Sequence, residues 1–378
     1  MSGKGTLPDH EIVKLIEAGM LPGADPESAE AASLDLRISS EIYRVEGTFL
    51  PQNGETVREA MKKVCPTPHP IGTVMEVGVV YIAKLKEESG LRSSVYGYTN
   101  PKSTSGRLRV HVRLLVDGVS RYDSLPRNDG NRELWVSIIP QAMPVIMSEG
   151  EKLNQLRLFT EDTRFDEFNL EVSMARHSLL FDRDGKEIKY RDIKVSDEDG
   201  SVLLTLDLSL VEVGWESFGS ARVLDMNKRD HYSPLGFFEP LVAKYESIKL
   251  RKGGFYILQS LEYVRVPPEL ACEMVPMDER SGDFRSHEAG FIDPGWGWNE
   301  DGSILGRPLT LELIPFEDLI FRHGQAVAKI RFEEMRSRPL SIYLDKKKGV
   351  TNYGGQQAPW LSKHFKQSCQ IPAKLKRS

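Results

Sequence analysis

Three segments in the first half of the chain recur in the second half, in the same order. They are, first copy before second, AASLDLRIS (31–39) and LLTLDLSL (203–210), NPKSTSGR (100–107) and DERSGDFR (278–285), and ELWVSIIP (133–140) and PLTLELIP (308–315). The offset is 175 residues from Pro140 to Pro315, and it changes by only three residues at the other two pairs. A repeat of this length indicates two copies of one domain. The copies differ at a reactive position, because Glu312 in the second stands where the first has Ser137.

Between these segments the chain consists mainly of short runs in which apolar and polar residues alternate, as in β-strands. The clearest runs are 79–87, 108–116, 134–140, 255–267 and 309–315. Turn-forming dipeptides such as Asn53-Gly54 and Asp184-Gly185 separate the runs. Many short strands with such turns predict β-barrel or β-sandwich domains.

A helix and an acidic segment mark the two ends of the first copy. Residues 8–20 carry apolar side chains on one helical face, and Asp9 is the expected N-cap. The acidic SDEDG segment at 196–200 is the expected seam between the copies. We therefore predict one domain at 1–195 and a second, with a C-terminal tail, at 196–378.

The composition argues against several classes of partner. Lys and Arg number 50 against 55 Asp and Glu, a net charge of −5, and the basic block is confined to 346–348. Binding to duplex nucleic acid needs a clustered basic face, so no nucleic-acid partner is expected. No apolar run approaches the roughly 20 residues of a membrane helix, and the N-terminus lacks the apolar core of a signal peptide. Three widely spaced cysteines fit a reducing compartment, so we expect a cytoplasmic protein without membrane contact or protein-bound metal.

Two loops carry a serine and an arginine four residues apart, a pattern that suits binding of phosphate oxygens. The candidates are, in the second copy, Arg280, Ser281 and Arg285 and, in the first copy, Lys102, Ser103 and Arg107. The planar guanidinium of arginine donates paired hydrogen bonds to phosphate. Because the spacing recurs, we predict the same loop geometry in both copies. The alternative is a solvated polar loop with no ligand.

The second copy also carries a carboxylate within an apolar strand. In LTLEL (309–313), alternation puts Thr310 and Glu312 on one face and the leucines on the other. We expect partial burial to raise the pKa of Glu312 toward neutrality, as suits a general base. The alternative is a glutamate on the wet face of a half-buried sheet.

A tight turn and the C-terminal tail supply further candidate groups. Asp293 in FIDPGWGW can accept a hydrogen bond from a sugar hydroxyl, and Trp296 offers a flat apolar surface. The alternative there is a well-packed β-turn. In the tail, Tyr343, Tyr353 and Gln356 accompany paired glycines, which suggest a loop that closes over a ligand. The alternative is a disordered terminus.

Taken together and in order, these segments resemble the dCTP deaminase branch of the dUTPase-like family. The resemblance rests on the helix followed by AASLDLRIS, on RSGDFR, on AGFIDPGW followed by LTLEL, and on NYGGQQAP in the tail. It implies a mainly β fold of two tandem dUTPase-like domains, each a distorted, jelly-roll-like β-barrel, with a short N-terminal helix. It also points to a homotrimer and to dTTP as a candidate inhibitor.

The resemblance further implies deamination of dCTP to dUTP and ammonia, for dUTP and dTTP precursor synthesis, without a metal in the pocket. The catalytic glutamate of the family falls on Glu312, and its paired serine and arginine fall on Ser281 and Arg285. Ala289 falls on the small residue that admits the base, and Asp293 on the sugar-side aspartate. The family's tail residues fall on Tyr343, Tyr353 and Gln356. Mg²⁺ is expected on the substrate triphosphate.

Family sites are built between subunits, where the phosphate loop of one fold unit meets the pyrimidine pocket of another. Since only the second copy has a glutamate at the position of Glu312, where the first has Ser137, we expect the first copy to be catalytically degenerate. Its Ser103 and Arg107 are then expected to serve a pocket that contains Glu312, in the same chain or a neighbour. Other functions stay open: a bifunctional enzyme that converts dCTP to dUMP, a plain dUTPase, a nucleotide sensor without turnover, or a structural oligomer.

Overall fold

The described part of the chain forms two units. The computed structural model describes residues 3–92, 94–127, 130–193, 196–287, 289–343, 353 and 360–366. Unit 1 comprises Met1–Asp162, Gly219–Lys228 and Met335–Ser341. Unit 2 comprises Thr163–Phe218, Arg229–Glu334 and Ile342–Ser378.

The seam between the units lies at Asp162–Thr163 rather than near residue 195. The chain after this seam already packs with unit 2, since the N–H of Phe165 donates to the carbonyl of Phe332 at 2.9 Å. The acidic segment 196–200 is not a linker, because two of its carboxylates accept hydrogen bonds from Lys329 at 2.6 and 2.9 Å. Its composition is typical of a solvated linker, but Asp197 and Asp199 are paired with Lys329 within unit 2.

Strands dominate the described residues. The helices are α1 (Asp9–Glu17), α2 (Val57–Met61), α3 (Ser103–Gly106) and α4 (Glu167–His177). The strands up to the seam are β1 (Ala29–Glu30), β2 (Ser33–Val45), β3 (Thr67–Pro68), β4 (Val74–Met75), β5 (Val80–Ser89), β6 (Tyr96–Pro101), β7 (Val110–Val116), β8 (Ser124–Leu125), β9 (Arg132–Pro140), β10 (Val145–Ile146) and β11 (Lys152–Phe159). Those after it are β12 (Leu180–Phe181), β13 (Ser201–Thr205), β14 (Glu212–Ser217), β15 (Leu224–Asp225), β16 (Phe238–Val242), β17 (Ser247–Leu250), β18 (Phe255–Val264), β19 (Leu270–Val275), β20 (Phe284–Arg285), β21 (Phe291–Ile292), β22 (Arg307–Pro315), β23 (Leu319–Arg322) and β24 (Ala326–Glu334).

Unit 1 is built on one large sheet. Its strands run in the order β7-β9-β5-β2-β11-β6-β8, with β1 and β3 also paired to β2. A smaller sheet has the order β15-β10-β4. A separate apolar cluster combines side chains of α2 with residues of the strands, namely Val45, Val57, Met61, Ile82, Leu115 and Trp135. This cluster matters below, because it occupies one face of the β5–β9 pair.

Unit 2 is built on two larger sheets, β16-β14-β18-β22-β20 with β12 beside β18, and β13-β24-β19-β21. Strands β17 and β23 form a separate pair. Both larger sheets contribute to the hydrophobic core, with Leu258 from β18, Leu311 from β22 and Phe332 from β24. The prediction of mainly β units with a short N-terminal helix is confirmed.

The repeat in the sequence is also a repeat in the backbone hydrogen bonds. In unit 1 the N–H of Gly78 donates to the carbonyl of Pro140 at 2.8 Å, and in unit 2 that of Gly253 donates to Pro315 at 2.7 Å. An offset of 175 residues relates the two donors and also the two acceptors. Strands β5 and β9 of unit 1 therefore correspond to β18 and β22 of unit 2.

Both strand pairs are interrupted at the same position. The register shifts between Lys84 and Glu88 in β5, and between Gln259 and Tyr263 in β18. A bulge of this kind bends a strand and redirects the side chains beside it. The register makes the following residues equivalent, unit 1 before unit 2: Ile82 and Ile257, Lys84 and Gln259, Trp135 and Thr310, and Ser137 and Glu312.

The N-terminal helix starts one residue earlier than a cap at Asp9 requires. Pro8 is the N-cap and Asp9 is the first helical residue, so the expected capping role is wrong. The Asp9 carboxylate instead accepts hydrogen bonds from the N–H groups of Leu340 and Ser341, each at 2.9 Å. It thereby ties the segment Met335–Ser341 to unit 1. Among the described residues, no helix is long and apolar enough to cross a membrane.

Candidate active site

Glu312 lies in the middle of β22, on the face turned away from the core. Leu311 and Leu313 belong to the hydrophobic core of unit 2, so alternation directs Glu312 to the opposite face. Even there the side chain is buried, at 2% exposure. The backbone N–H of Ala289 donates to Glu312 Oε2 at 3.3 Å. Glu312 is therefore not a glutamate on a wet sheet face, and the segment around Ala289 lies against its carboxylate.

Arg285 reaches the same face from the neighbouring strand. Strand β20 pairs with the end of β22, so that Arg285 stands opposite Ile314. Paired residues of antiparallel strands direct their side chains to the same side, and Ile314 shares a face with Glu312. Thr310, two residues before Glu312 in β22, also points to this face, so Thr310, Glu312 and Ile314 form one row of side chains. The structure thus brings Glu312, Ala289, Arg285 and Thr310 to one face of the sheet.

The turn before β20 is held by carboxylates. Residues Glu279–Ser281 form a short 3₁₀ turn, in which the N–H of Arg280 donates to the side chain of the N-cap residue Asp278. The exposed Arg280 bonds Asp278 at 3.0 Å and Asp197 at 2.8 Å. Ser281 is half-buried at the end of the turn. A phosphate that approaches Arg280 therefore has to compete with two carboxylates for its guanidinium.

The acidic segment beside Arg280 is itself strongly bound. Burial opposes ionisation of Asp199, but hydrogen bonds from Ser201 and Lys329 outweigh it and lower the pKa of Asp199 to about 2. Burial acts against the charge of Lys329 as well, and bonds to Asp197 and Asp199 nevertheless raise its pKa. Asp199 is thus held in its charged form at neutral pH, beside the charged Lys329.

The equivalent loop of unit 1 has a different geometry, which corrects the prediction of a shared loop. There the serine opens a helical turn, α3, and Arg107 is buried at its C-terminal end. Lys102 at its start forms an ion pair with Asp35. Strand register makes His111, opposite Ile139, the counterpart of Arg285. The loop in unit 2 is shorter than the one in unit 1, and equal Ser–Arg spacing concealed this.

The IDPGW turn packs into the core of unit 2. The N–H of Trp296 donates to the carbonyl of Asp293 at 3.2 Å, which closes the turn. Trp296 is 7% exposed within the core cluster, and its ring centroid lies 5.2 Å from that of Tyr343. Asp293 is half-buried at the end of β21. For Trp296 the alternative stated above, a well-packed β-turn, is therefore correct. Its side chain lies in the core and not in the row with Glu312.

Part of the predicted tail is also packed in unit 2. Tyr353 is buried, and its hydroxyl accepts a hydrogen bond from the N–H of Lys363 at 3.3 Å. The carbonyl of Lys363 in turn accepts from Asp230 at 3.0 Å, and Phe365 packs against Phe238. Gln356 lies outside the described residues.

Gln259 belongs to the same face and was not singled out from the sequence. It stands opposite Thr310 in the β18–β22 pair and is 1% exposed. Neither its Nε2 nor its Oε1 has a hydrogen-bond partner among the residues that the structure describes. A signal was present in the sequence, because alternation along FYILQSLEYV puts Gln259 in phase with Ile257, the cross-strand neighbour of Glu312.

Two family models match the chain, one for each unit. The model of the 2'-deoxycytidine 5'-triphosphate deaminase N-terminal domain matches residues 3–162, and that of the C-terminal domain matches residues 172–365. The chain belongs to the 2'-deoxycytidine 5'-triphosphate deaminase family.

A solved structure of this dCTP deaminase family is similar over most of the chain. It is the 2'-deoxycytidine 5'-triphosphate deaminase from Agrobacterium tumefaciens, with 30% identity, a TM-score of 0.79, and coverage of 89% of this chain and 99% of that chain. No curated protein sequence gives a significant match. The tandem dUTPase-like architecture expected from the sequence is thereby confirmed, and the first family domain ends at residue 162, which is also the last residue of the first segment of unit 1.

Proposed function

We propose that this chain deaminates dCTP to dUTP and ammonia, and that Glu312 of unit 2 is the catalytic base. The observation that carries the proposal is the buried carboxylate of Glu312, held by the N–H of Ala289 in a chain of the dCTP deaminase family. The reaction hydrolyses the exocyclic C–N bond of a cyclic amidine: dCTP and water give dUTP and ammonia. It supplies dUTP for pyrimidine deoxynucleotide synthesis.

In this mechanism Glu312 accepts a proton from the water that attacks C4 of the cytosine ring. The carboxyl group delivers this proton to N3, then takes the proton of the new C4 hydroxyl and delivers it to the amino group, so that ammonia leaves as the C4 carbonyl forms. The N–H of Ala289 orients the Oε2 atom of this carboxylate. A general base in this position contributes about 10²- to 10⁴-fold to the rate.

The other predicted site residues take supporting roles in the proposal. Arg285 and Ser281 bind the water, the carboxylate or the phosphates, and Arg280, Lys102, Ser103 and Arg107 are candidate phosphate ligands. Thr310 lines the pocket beside Glu312, and Asp293 binds the sugar. The tail residues Tyr343, Tyr353 and Gln356 are proposed to close the site. Mg²⁺ enters as part of the Mg²⁺–dCTP substrate, bound by phosphate oxygens.

Unit 1 is proposed to be catalytically degenerate. Ser137 replaces the glutamate and has a buried hydroxyl without a partner among the described residues. Trp135, the counterpart of Thr310, is fully buried in the apolar cluster with α2. The part of this face around Trp135 is thus occupied by an apolar core cluster. A homotrimer in the cytoplasm and inhibition by dTTP stay predictions from the sequence.

The direct test incubates the purified chain with Mg²⁺–dCTP, measures ammonia and separates the products. Ammonia together with an equal amount of dUTP supports the proposal. Ammonia with dUMP and pyrophosphate identifies the bifunctional alternative instead. Tight dCTP binding without ammonia identifies a sensor and overturns the proposal.

A further inference from the structure

The side chain of Gln259 is an exception to the pairing of buried polar groups. The large majority of buried side-chain polar atoms have a hydrogen-bond partner in folded proteins. Gln259 is 1% exposed, yet both polar atoms of its carboxamide lack a partner among the described residues. Burial of an unpaired amide costs stability. A residue with this cost needs a reason other than the stability of the fold.

The fold itself does not require an amide at this position. In unit 1 the same position, just before the same bulge, is occupied by Lys84. The Nζ of Lys84 bonds Glu88 at 3.2 Å and Glu133 at 2.8 Å, so its charge is paired. The two copies therefore keep the backbone and change the side chain, as they do at Glu312.

Two neighbouring segments fix where Gln259 points. Its backbone pairs with Thr310, and its carbonyl accepts from the N–H of Asp207 at 3.1 Å. Directly after it, the bulge diverts the N–H of Leu309 to the hydroxyl of Ser260 at 2.8 Å. Gln259 is thus held on the face of Glu312, as its diagonal neighbour. Such neighbours lie about 7–8 Å apart, within reach of long side chains and of a small ring between them.

We propose that Gln259 is a base-recognition residue of the Glu312 pocket, and that its carboxamide hydrogen-bonds the polar edge of the pyrimidine ring. The inference rests on the proposed function for the identity of the ligand. Cytosine presents the C4 amino group as a donor beside the N3 acceptor, and a carboxamide offers one acceptor and one donor on adjacent atoms. Deaminases commonly read a base through hydrogen bonds to this edge.

The test replaces Gln259 with methionine, an apolar side chain of similar length. Because an unpaired buried amide is removed, Gln259→Met is expected to unfold at an unchanged or higher temperature than the parent. Its kcat/KM for dCTP is expected to fall by about 10- to 100-fold. On a Glu312→Gln background, dCTP affinity is expected to fall likewise, whereas affinity for inorganic tripolyphosphate stays unchanged.

Ser137→Ala is the matched control, since it removes a buried hydroxyl without a described partner from the equivalent strand of unit 1. Turnover by this variant is expected to equal that of the parent. Unchanged dCTP affinity in Gln259→Met overturns the inference. Loss of both dCTP and tripolyphosphate binding, with a lower unfolding temperature, also overturns it, because the residue is then structural. If the parent binds dCTP without releasing ammonia and Gln259→Met loses that binding, the proposed function fails and the inference stands.

Discussion

Unit 1 and unit 2 share a strand pair in the same register and use one face of it differently. In unit 1, Trp135 and Ile82 join the side chains of α2 in an apolar cluster. In unit 2, the counterparts of Trp135 and Ser137 are Thr310 and Glu312, and a glutamine replaces a lysine beside the bulge. The backbone hydrogen bonds are kept. The comparison teaches that a few side chains on one face separate a structural copy from a candidate active site.

The largest effect on stability is expected from Trp135→Ala in unit 1. The indole is fully buried, its Nε1 donates to Glu133 at 3.1 Å, and the Arg58 guanidinium lies 4.8 Å from the ring. Truncation of a buried tryptophan costs about 3–5 kcal/mol. Denaturant unfolding followed by tryptophan fluorescence measures the loss. A loss below about 1 kcal/mol would show that the face of unit 1 is not a core.

A second substitution, Thr310→Trp, gives unit 2 the side chain that unit 1 has at the equivalent position, Trp135. Because an indole fills the row beside Glu312, dCTP affinity is expected to fall by about 100-fold, or roughly 3 kcal/mol. Calorimetric titration measures it, and the unfolding temperature shows whether the variant is folded. Thr310→Val, which keeps the volume, is the control and is expected to retain most of the affinity. Unchanged binding by a folded Thr310→Trp would place the nucleotide elsewhere.

Tyr81 in unit 1 and Tyr256 in unit 2 occupy equivalent positions, and their contributions to stability are expected to differ by a smaller amount. Tyr81 accepts a hydrogen bond from the N–H of Glu76 at 3.0 Å, and Tyr256 accepts from Arg251 at 2.8 Å. Tyr256 also donates to Glu216 at 2.8 Å. We expect Tyr81→Phe to cost about 1 kcal/mol and Tyr256→Phe about 2 kcal/mol, because a bond to a charged group is lost in addition. Equal losses in denaturant unfolding would contradict the comparison.

We expect Tyr256 to make unit 2 less stable at alkaline pH. Burial, together with the neighbouring Glu216, raises the pKa of Tyr256 from 10.0 to about 12. The neutral phenol therefore stabilises the folded state fully below about pH 10, and this contribution is lost as the pH rises toward 12. Unfolding temperatures measured from pH 9 to 12 should fall less steeply in Tyr256→Phe than in the parent. Parallel curves would show that other groups control this range.

The fold was largely predictable because its signals are local. Alternation and the closing prolines marked β9 and β22, which end at Pro140 and Pro315 as expected. The seam near residue 195 was misplaced because an acidic segment looks solvated in sequence, and pairing with Lys329 is a tertiary contact. The prediction that Asp9 caps the helix was wrong for the same reason, because the hydrogen-bond partners of its carboxylate lie more than 300 residues away along the chain.

The candidate site was predictable only in part. Leucines on both sides of Glu312 signalled burial, and the structure shows it. Gln259 was missed because period-two alternation predicts one wet face, whereas both faces of this sheet are buried and a glutamine is then exceptional. The Ser–Arg loops looked equivalent because sequence spacing does not show that one forms a helix and the other a 3₁₀ turn and a strand.

The central claim is that Glu312 of unit 2 is the base that deaminates dCTP. The most direct measurement is ammonia release from dCTP by Glu312→Gln, alongside dCTP binding by the same variant. The substitution keeps shape and an acceptor for the Ala289 N–H, so binding is expected to persist while deamination falls by about 10²- to 10⁴-fold. Deamination at the parental rate by a folded Glu312→Gln would contradict the account.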